Sequence, residues 1–305
     1  MIKPQMRIKP FLEFDANGIN WDYLSINLNA IHLLEQNMDK INWDNLSINQ
    51  NAIHLLEKNT DKIVWKNVSI NVNGHLLMEK NIDKIDWEGI AFNSSDGAVN
   101  IMLDNADKIC WTYLSFNKHR KIIKLLEETP NKINWKFLSA NCNAIHLLEQ
   151  NVDKIDWDMI SINKNAIHLI EQNMEKINWS KLSCNENSID LLKKYPEKIN
   201  WTSLCLNPNC IDLIDDNIDK VDWELLALNE NALWFYEKYN NLTQHCKHIY
   251  ANPNIFDYDY HLLKYSNCVL NNEIIKNRFH PKNVKLWKDW KIDWFEFEEG
   301  MDFTM

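Results

Sequence analysis

Glycine and proline are almost missing from this chain, with 5 and 7 residues among 305. Gly-rich phosphate loops and long flexible linkers therefore have almost nothing to be built from. No stretch approaches the roughly 20 apolar residues of a membrane span. The opening MIKPQMRIKPFLEF also lacks the apolar run of a signal peptide, so the protein is expected to be soluble and made in the cytosol. Positive charge is not in excess. Lys and Arg number 33 against 43 Asp and Glu, a net charge of −10, which disfavours a nucleic-acid backbone as partner. The seven cysteines, at 110, 142, 184, 205, 210, 246 and 268, are odd in number and form no CxxC pair. Free thiols in a reducing compartment are expected, not disulfides or zinc. No G-x-S-x-G, P-loop, H-E-x-x-H or Rossmann fingerprint occurs. The expectation is a non-enzymatic protein with no cofactor and no metal.

What the chain has is repetition. Trp21, Trp43, Trp65 and Trp87 lie 22 residues apart, Trp111 and Trp135 each follow after 24, and Trp157, Trp179, Trp201 and Trp223 return to 22. The unit reads N-A-I-H-L-L-E-Q-N-x-D-K-I-x-W-x-x-L-S-x-N-x, as in Asn29 to Gln50. Within it, Ile31-His32-Leu33-Leu34-Glu35-Gln36 has apolar residues at helical spacing, with Asn29 placed as N-cap and Asn37 as a left-handed C-cap. The run Trp43-Asp44-Asn45-Leu46-Ser47-Ile48 puts Trp and Leu on one side of a second short helix. Helices below roughly 12 residues are marginal alone in water, so stacking of copies must stabilise them. The fold expected is all-α: an elongated α-solenoid of about ten helix pairs, each 22 to 24 residues, with the ten tryptophans in its core. A period of 22 and an asparagine column also fit leucine-rich repeats, the rival fold, which needs an L-x-L strand in every copy. The two longer copies carry their additions at Ser94 to Val99 and Lys118 to Lys121, where a turn or a lengthened helix absorbs them.

After Trp223 the pattern decays. Asn231 to Glu237 still reads as a helix, the expected Trp has become the His245-Cys246 region, and Asn252-Pro253-Asn254-Ile255 is a last echo. The boundaries expected are an N-terminal cap over residues 1–17, the solenoid over 18–256, and a distinct C-terminal helical cap over 257–305 that hides the open apolar end.

The string I-x-W-x-x-L-S-x-N-x-N-A-I-x-L-L-E, complete in Ile41 to Glu57 and nearly so in Ile155 to Glu171, resembles the tandem-repeat proteins of giant DNA viruses of amoebae. The likeness covers roughly residues 18 to 256. Arg278 to Val284 is similar to the His-Pro-basic segment near the end of such proteins, while Lys291 to Gly300 matches their usual continuation only loosely. The 44 asparagines agree with an AT-rich coding sequence. The resemblance implies a viral repeat scaffold located in the host cytoplasm or the virion. It brings no catalytic residues.

Function in an array is carried where copies differ. The two residues after each Trp vary freely while an aliphatic residue follows them: Asp22 and Tyr23, Asp44 and Asn45, Lys66 and Asn67, Thr112 and Tyr113, Lys136 and Phe137, Asp158 and Met159, and equally Glu88-Gly89, Ser180-Lys181, Thr202-Ser203 and Glu224-Leu225. These are the candidate partner-contact residues. The expected partner is a protein, host or viral, bound by an adaptor; the alternative is a virion-associated structural protein contacting capsid or core components. The recurrent His32, His54, His146 and His168 read as polar residues of an outer helix face, and the Asp-Lys pairs as a solvated edge with modest ion pairs.

Overall fold

The computed structural model describes residues 6–9, 18–239 and 246–258. The chain divides into two compact units, Ile8–Phe256 and a second made of Met1–Arg7 with Asp257–Met305. Of the second, only residues 6–7 and 257–258 are described, so the C-terminal cap lies outside the described residues.

The copies in Ile8–Phe256 are built from up to three parts. The first is a short helix that opens on Trp, such as Trp21–Ile26 or Trp43–Ile48, here called the Trp helix. The second is the Leu helix, such as Ile31–Gln36 or Ile53–Lys58, and the third a single 3-10 turn, such as Met38–Lys40. Strands among the described residues are confined to β1 (Met6–Ile8) and β2 (Phe256–Tyr258), which pair with each other. A leucine-rich-repeat strand is absent from every described copy.

The Trp helix starts where it does because the residue before Trp caps it. Asn20, Asn42, Asn134, Asn178 and Asn200, and likewise Asp156 and Asp222, accept the backbone N–H three residues on. The Ser four residues after Trp donates its hydroxyl to the Trp carbonyl, as Ser47 Oγ does to Trp43 O at 2.8 Å. The same oxygen accepts the N–H opening the next copy's helix, Val64 N in this case.

The Leu helix is capped differently from the sequence expectation. Its N-cap in the first copy is Ala30, with no side-chain bond, because Asn29 turns its amide to Pro253 O of another copy instead. The closing asparagine is not left-handed either: Asn37 has φ −135° and donates Nδ2 back to Leu33 O. In the two 24-residue copies the extra residues lengthen the Leu helix, to Asp96–Asp104 and Arg120–Glu128.

Copies are joined by one buried asparagine each. Asn49 Nδ2 donates to Ser25 O and Asn27 O of the preceding copy, and its Oδ1 accepts Asn51 N. Asn71, Asn93, Asn117, Asn141, Asn163, Asn207, Asn229 and Asn252 repeat both donations; Asn185 makes the one to Ser161 O. The carbonyl two residues before each ladder Asn, such as Ser25 O, is satisfied this way at the end of its short helix, while the Asn carbonyl also takes a backbone N–H of its own copy, as Asn27 O takes Ala30 N.

The ladder does not stop at the first copy. Asn27 Nδ2 donates to Tyr250 O at 2.9 Å and to Asn252 O at 2.7 Å, so the first copy takes the eleventh as its predecessor. The unit Ile8–Phe256 is a closed ring of eleven copies. The helix-pair solenoid is as expected, but it is not elongated. Eleven copies share one full turn at about 33° each, a rotation of the kind that sets solenoid curvature, and the two ends meet. Residues 247–251 form the eleventh Trp-type helix, with Cys246 at the Trp register. Where its Leu helix would stand, β2 runs beside β1, tied by Lys9 N to Ile255 O at 2.8 Å.

Candidate functional site

The tryptophans are not the interior. Leu, Ile, Ala, Ser and the ladder Asn fill the fully buried positions, while all ten Trp are half-buried. Each indole sits at a copy boundary, and in eight of them the Lys that ends the turn after the Leu helix lies over the ring. These are Lys40 on Trp21, Lys62 on Trp43, Lys84 on Trp65, Lys108 on Trp87, Lys132 on Trp111, Lys154 on Trp135, Lys176 on Trp157 and Lys220 on Trp201, at 4.0 to 5.2 Å. An indole face carries negative quadrupole charge, which holds the ammonium there. Trp179 and Trp223 meet tyrosine edges instead, Tyr195 and Tyr236, each at 5.6 Å. The Asp-Lys pairs thus do more than face water, and the sequence signal was the Trp-to-Lys interval of 19 residues in the regular copies.

The histidine column pairs between copies. His54, His146 and His168 place Nε2 at 2.9, 2.7 and 2.8 Å from Glu35, Glu127 and Glu149 of the preceding copy. Among the described residues no group of three or more His, Cys, Asp or Glu is placed to hold a metal ion. The six described cysteines are free thiols. Burial pushes the Cys210 thiol up to about 12, with Cys205 raising it further, and burial likewise raises Cys184, Cys205 and Cys246.

The candidate pairs after each Trp divide into two roles. The first residue is exposed: Asp22, Asp44, Lys66, Glu88, Thr112, Lys136, Asp158, Thr202 and Glu224. Ser180 is the half-buried exception, bonded to Ser203. The second residue is at least half-buried, and several spend their side chains on the neighbouring copy. Asn45 and Asn67 donate to Asp22 O and Asp44 O. Tyr113 sits between Phe92 and Phe137 at 5.1 and 5.3 Å. Lys181 bonds Asp158 and reaches Met159 Sδ at 3.4 Å. Its ammonium, with Asn178, holds the Asp158 carboxyl below the usual range.

Tyr23 takes part in ring closure. Its hydroxyl is 2.7 Å from His248 Nε2, and His248 Nδ1 is 3.1 Å from Glu224 Oε2. Three copies, the first, eleventh and tenth, meet through these side chains. Nothing in the spacing of the sequence announces that meeting, because it exists only once the ring shuts.

One further register was missed. The residue before each ladder Asn is apolar in all eleven copies: Ile26, Ile48, Ile70, Phe92, Phe116, Ala140, Ile162, Cys184, Leu206, Leu228 and Ala251. Ile70, Phe92, Leu206 and Leu228 are exposed there, at 38 to 43%. Ala140, Ile162 and Cys184 of this register line a single depression with Lys118 and Pro208, which together come from five successive copies, so the register lies on the concave side of the ring. Apolar character kept copy after copy, at a position that four copies leave exposed, was the signal. No protein-family model matches the chain, and no curated protein or solved structure matches it either.

Proposed function

We propose that the ring is a non-enzymatic scaffold for a protein partner, held through the exposed residue after each Trp together with the apolar register beside it. The observation that carries this is the division of labour within each copy. The ladder Asn and several second residues after Trp are committed to a neighbouring copy, whereas the residue directly after Trp is exposed in nine of the ten Trp copies and varies along the array. Charge of both signs occurs along it, with Asp22, Asp44, Lys66 and Glu88 in four successive copies, a pattern that discriminates between partners more than it adds affinity. The resemblance to viral tandem-repeat proteins supports a partner of host or viral origin. End-to-end polymerisation has no free array faces to use, since the first and last copies occupy each other.

The test is affinity capture with the native ring and with a triple variant, Asp44→Lys, Lys66→Glu and Lys136→Glu. These side chains make no ion pair within the described residues, so the variant should fold with an unchanged melting curve. A specific partner captured by the native ring and lost by the variant supports the reading. Capture that is unaffected by the variant, or no specific protein at all, contradicts it.

A further inference from the structure

Aromatic residues stand before the ladder Asn only in the fourth and fifth copies, as Phe92 and Phe116. Two more rings join them from the second place after Trp. Phe116 meets Phe92 edge-on at 5.8 Å, Phe92 lies 5.1 Å from Tyr113, and Tyr113 meets Phe137 edge-on at 5.3 Å. Four touching rings thus cross three successive copies beside the concave register. None of them is fully buried, and Phe92 is 39% exposed. Ile, Leu, Cys or Ala serve at the Phe92 register in the other copies, so packing of the ring does not call for Phe there.

The same stretch departs from the rest of the chain in charge. Against a net charge of −10, residues 110–133 carry Lys118, Arg120, Lys121, Lys124 and Lys132 with only Glu127 and Glu128 to balance them. Arg120 and Lys121 open the helix Arg120–Glu128, an end where the macrodipole disfavours cations. The Lys118 ammonium lies 5.7 Å from the Phe116 ring centroid, and Lys136 directly precedes Phe137. Both lysines are exposed, and neither makes an ion pair among the described residues. Aromatic side chains are the usual anchors of a protein interface, and charge complementarity selects the partner. Two unpaired ammonium groups beside exposed rings match carboxylates next to an apolar side chain. A nucleic acid matches less well, because Glu88 is exposed four residues before Phe92 and Asp86, Asp96, Asp104 and Asp107 belong to the same copy. A strand with a phosphate on every nucleotide meets those carboxylates, whereas a peptide carries negative charge only where the lysines are.

We infer that Phe92, Tyr113, Phe116 and Phe137, with Lys118 and Lys136, form the principal contact of the ring with an acidic protein segment. An aromatic or branched aliphatic side chain of that segment packs on the rings, and its flanking carboxylates pair with the two lysines. The inference rests on the scaffold reading and adds to it the place and the chemistry of the partner.

A random-peptide display library panned against the full native chain is the probe. Selected peptides should be rich in Asp and Glu around Phe, Tyr, Trp or Leu. The tightest of them, made synthetically, should lose at least about tenfold in affinity to the pair Phe92→Ala and Phe116→Ala, and as much to the pair Lys118→Glu and Lys136→Glu. The pair Ile70→Ala and Leu206→Ala, at exposed positions of the same register in other copies, should leave affinity unchanged. The repeat already accepts these residues, with Ala140 and Ala251, Glu186 and Glu230, and Glu88 and Glu224 at the corresponding registers, so all three pairs should keep the native melting curve. Where a pair shifts that curve, the single changes Phe92→Ala and Lys118→Glu take its place. Peptides without acidic bias, peptides that bind the Phe or Lys variants as tightly as the native ring, or no enriched peptide would overturn the inference. Oligouridylate bound more tightly than the best peptide would also overturn it. The scaffold reading is judged apart: a captured partner lost by the triple variant but retained by the Phe and Lys pairs leaves the scaffold standing and removes this inference.

Discussion

An asparagine amide is the smallest neutral side chain that both donates twice and accepts, and the ladder uses all of this capacity. In Asn163 the two donors reach Ser139 O and Asn141 O at 2.9 and 3.2 Å, and Oδ1 takes Asn165 N. Asn163→Ala leaves the Ser139 carbonyl and the Asn165 N–H without their partner, while Asn141 O keeps Ala144 N. Each unmatched group costs about 1 to 3 kcal/mol, so the loss should be about 2 kcal/mol or more. Asn187→Ala, on the exposed second column where Nδ2 bonds Lys164 O, should cost about 1 kcal/mol or less. Urea midpoints of the two variants give the comparison. Cys210 offers a second residue-level check. Its folded pKa is raised from 9.0 to about 12 because the thiolate would be buried. The neutral thiol therefore contributes stability below about pH 9 that is lost as pH climbs toward 12. Unfolding midpoints should fall across that window, and at pH 8 iodoacetamide should leave Cys210 unmodified until the ring unfolds.

Elements of four to nine residues hold their places by contacts to the next copy, and the Lys-over-Trp pairs are the most regular of these outside the core. Lys62→Met should cost about 0.5 to 1 kcal/mol, and Trp43→Ala should cost less than the roughly 3 to 5 kcal/mol of a fully buried Trp, as thermal unfolding of each variant would report. The period, the helix pairs and the lengthened helices at Asp96–Asp104 and Arg120–Glu128 were legible from residue spacing, since hydrophobic periodicity survives without tertiary information. The lysine over the indole was less so: Asp39-Lys40 reads as a solvated pair until Lys40 is seen above Trp21 of its own copy's Trp helix. Caps were misassigned for a related reason. Asn29 has the local features of an N-cap, but the Pro253 carbonyl of a distant copy competes for its amide, and one sequence window contains no such competitor. Of the candidate pairs, the exposed residues such as Asp22 and Lys136 were legible as variable, whereas Tyr23 and Tyr113 vary because they suit particular neighbours.

At the scale of the unit Ile8–Phe256, closure was not legible. The angle between copies is set by small differences in side-chain volume on two faces of the array, and a few degrees per copy separate a ring from an open superhelix. The contacts at the seam differ from the rest of the ladder. Tyr23, His248 and Glu224 occupy it, and Lys9 bridges to Glu237 at 2.8 Å. Asn27→Ala should therefore loosen the seam alone. Amide exchange should accelerate at Trp21–Ile26 and Lys247–Ala251, while Trp135–Ser139 and Trp157–Ile160, on the far side, keep their protection. The central claim is that the first and eleventh copies are neighbours. Nitroxides on non-canonical residues at the exposed positions 22 and 247 leave the cysteines untouched, and a pulsed electron–electron measurement reads their separation. Adjacent helices lie about 8 to 10 Å apart, so a closed ring gives a narrow distribution below about 30 Å once the label arms are included. An open row of eleven copies would put the labels about 80 to 100 Å apart, and a distribution at that distance would contradict the ring.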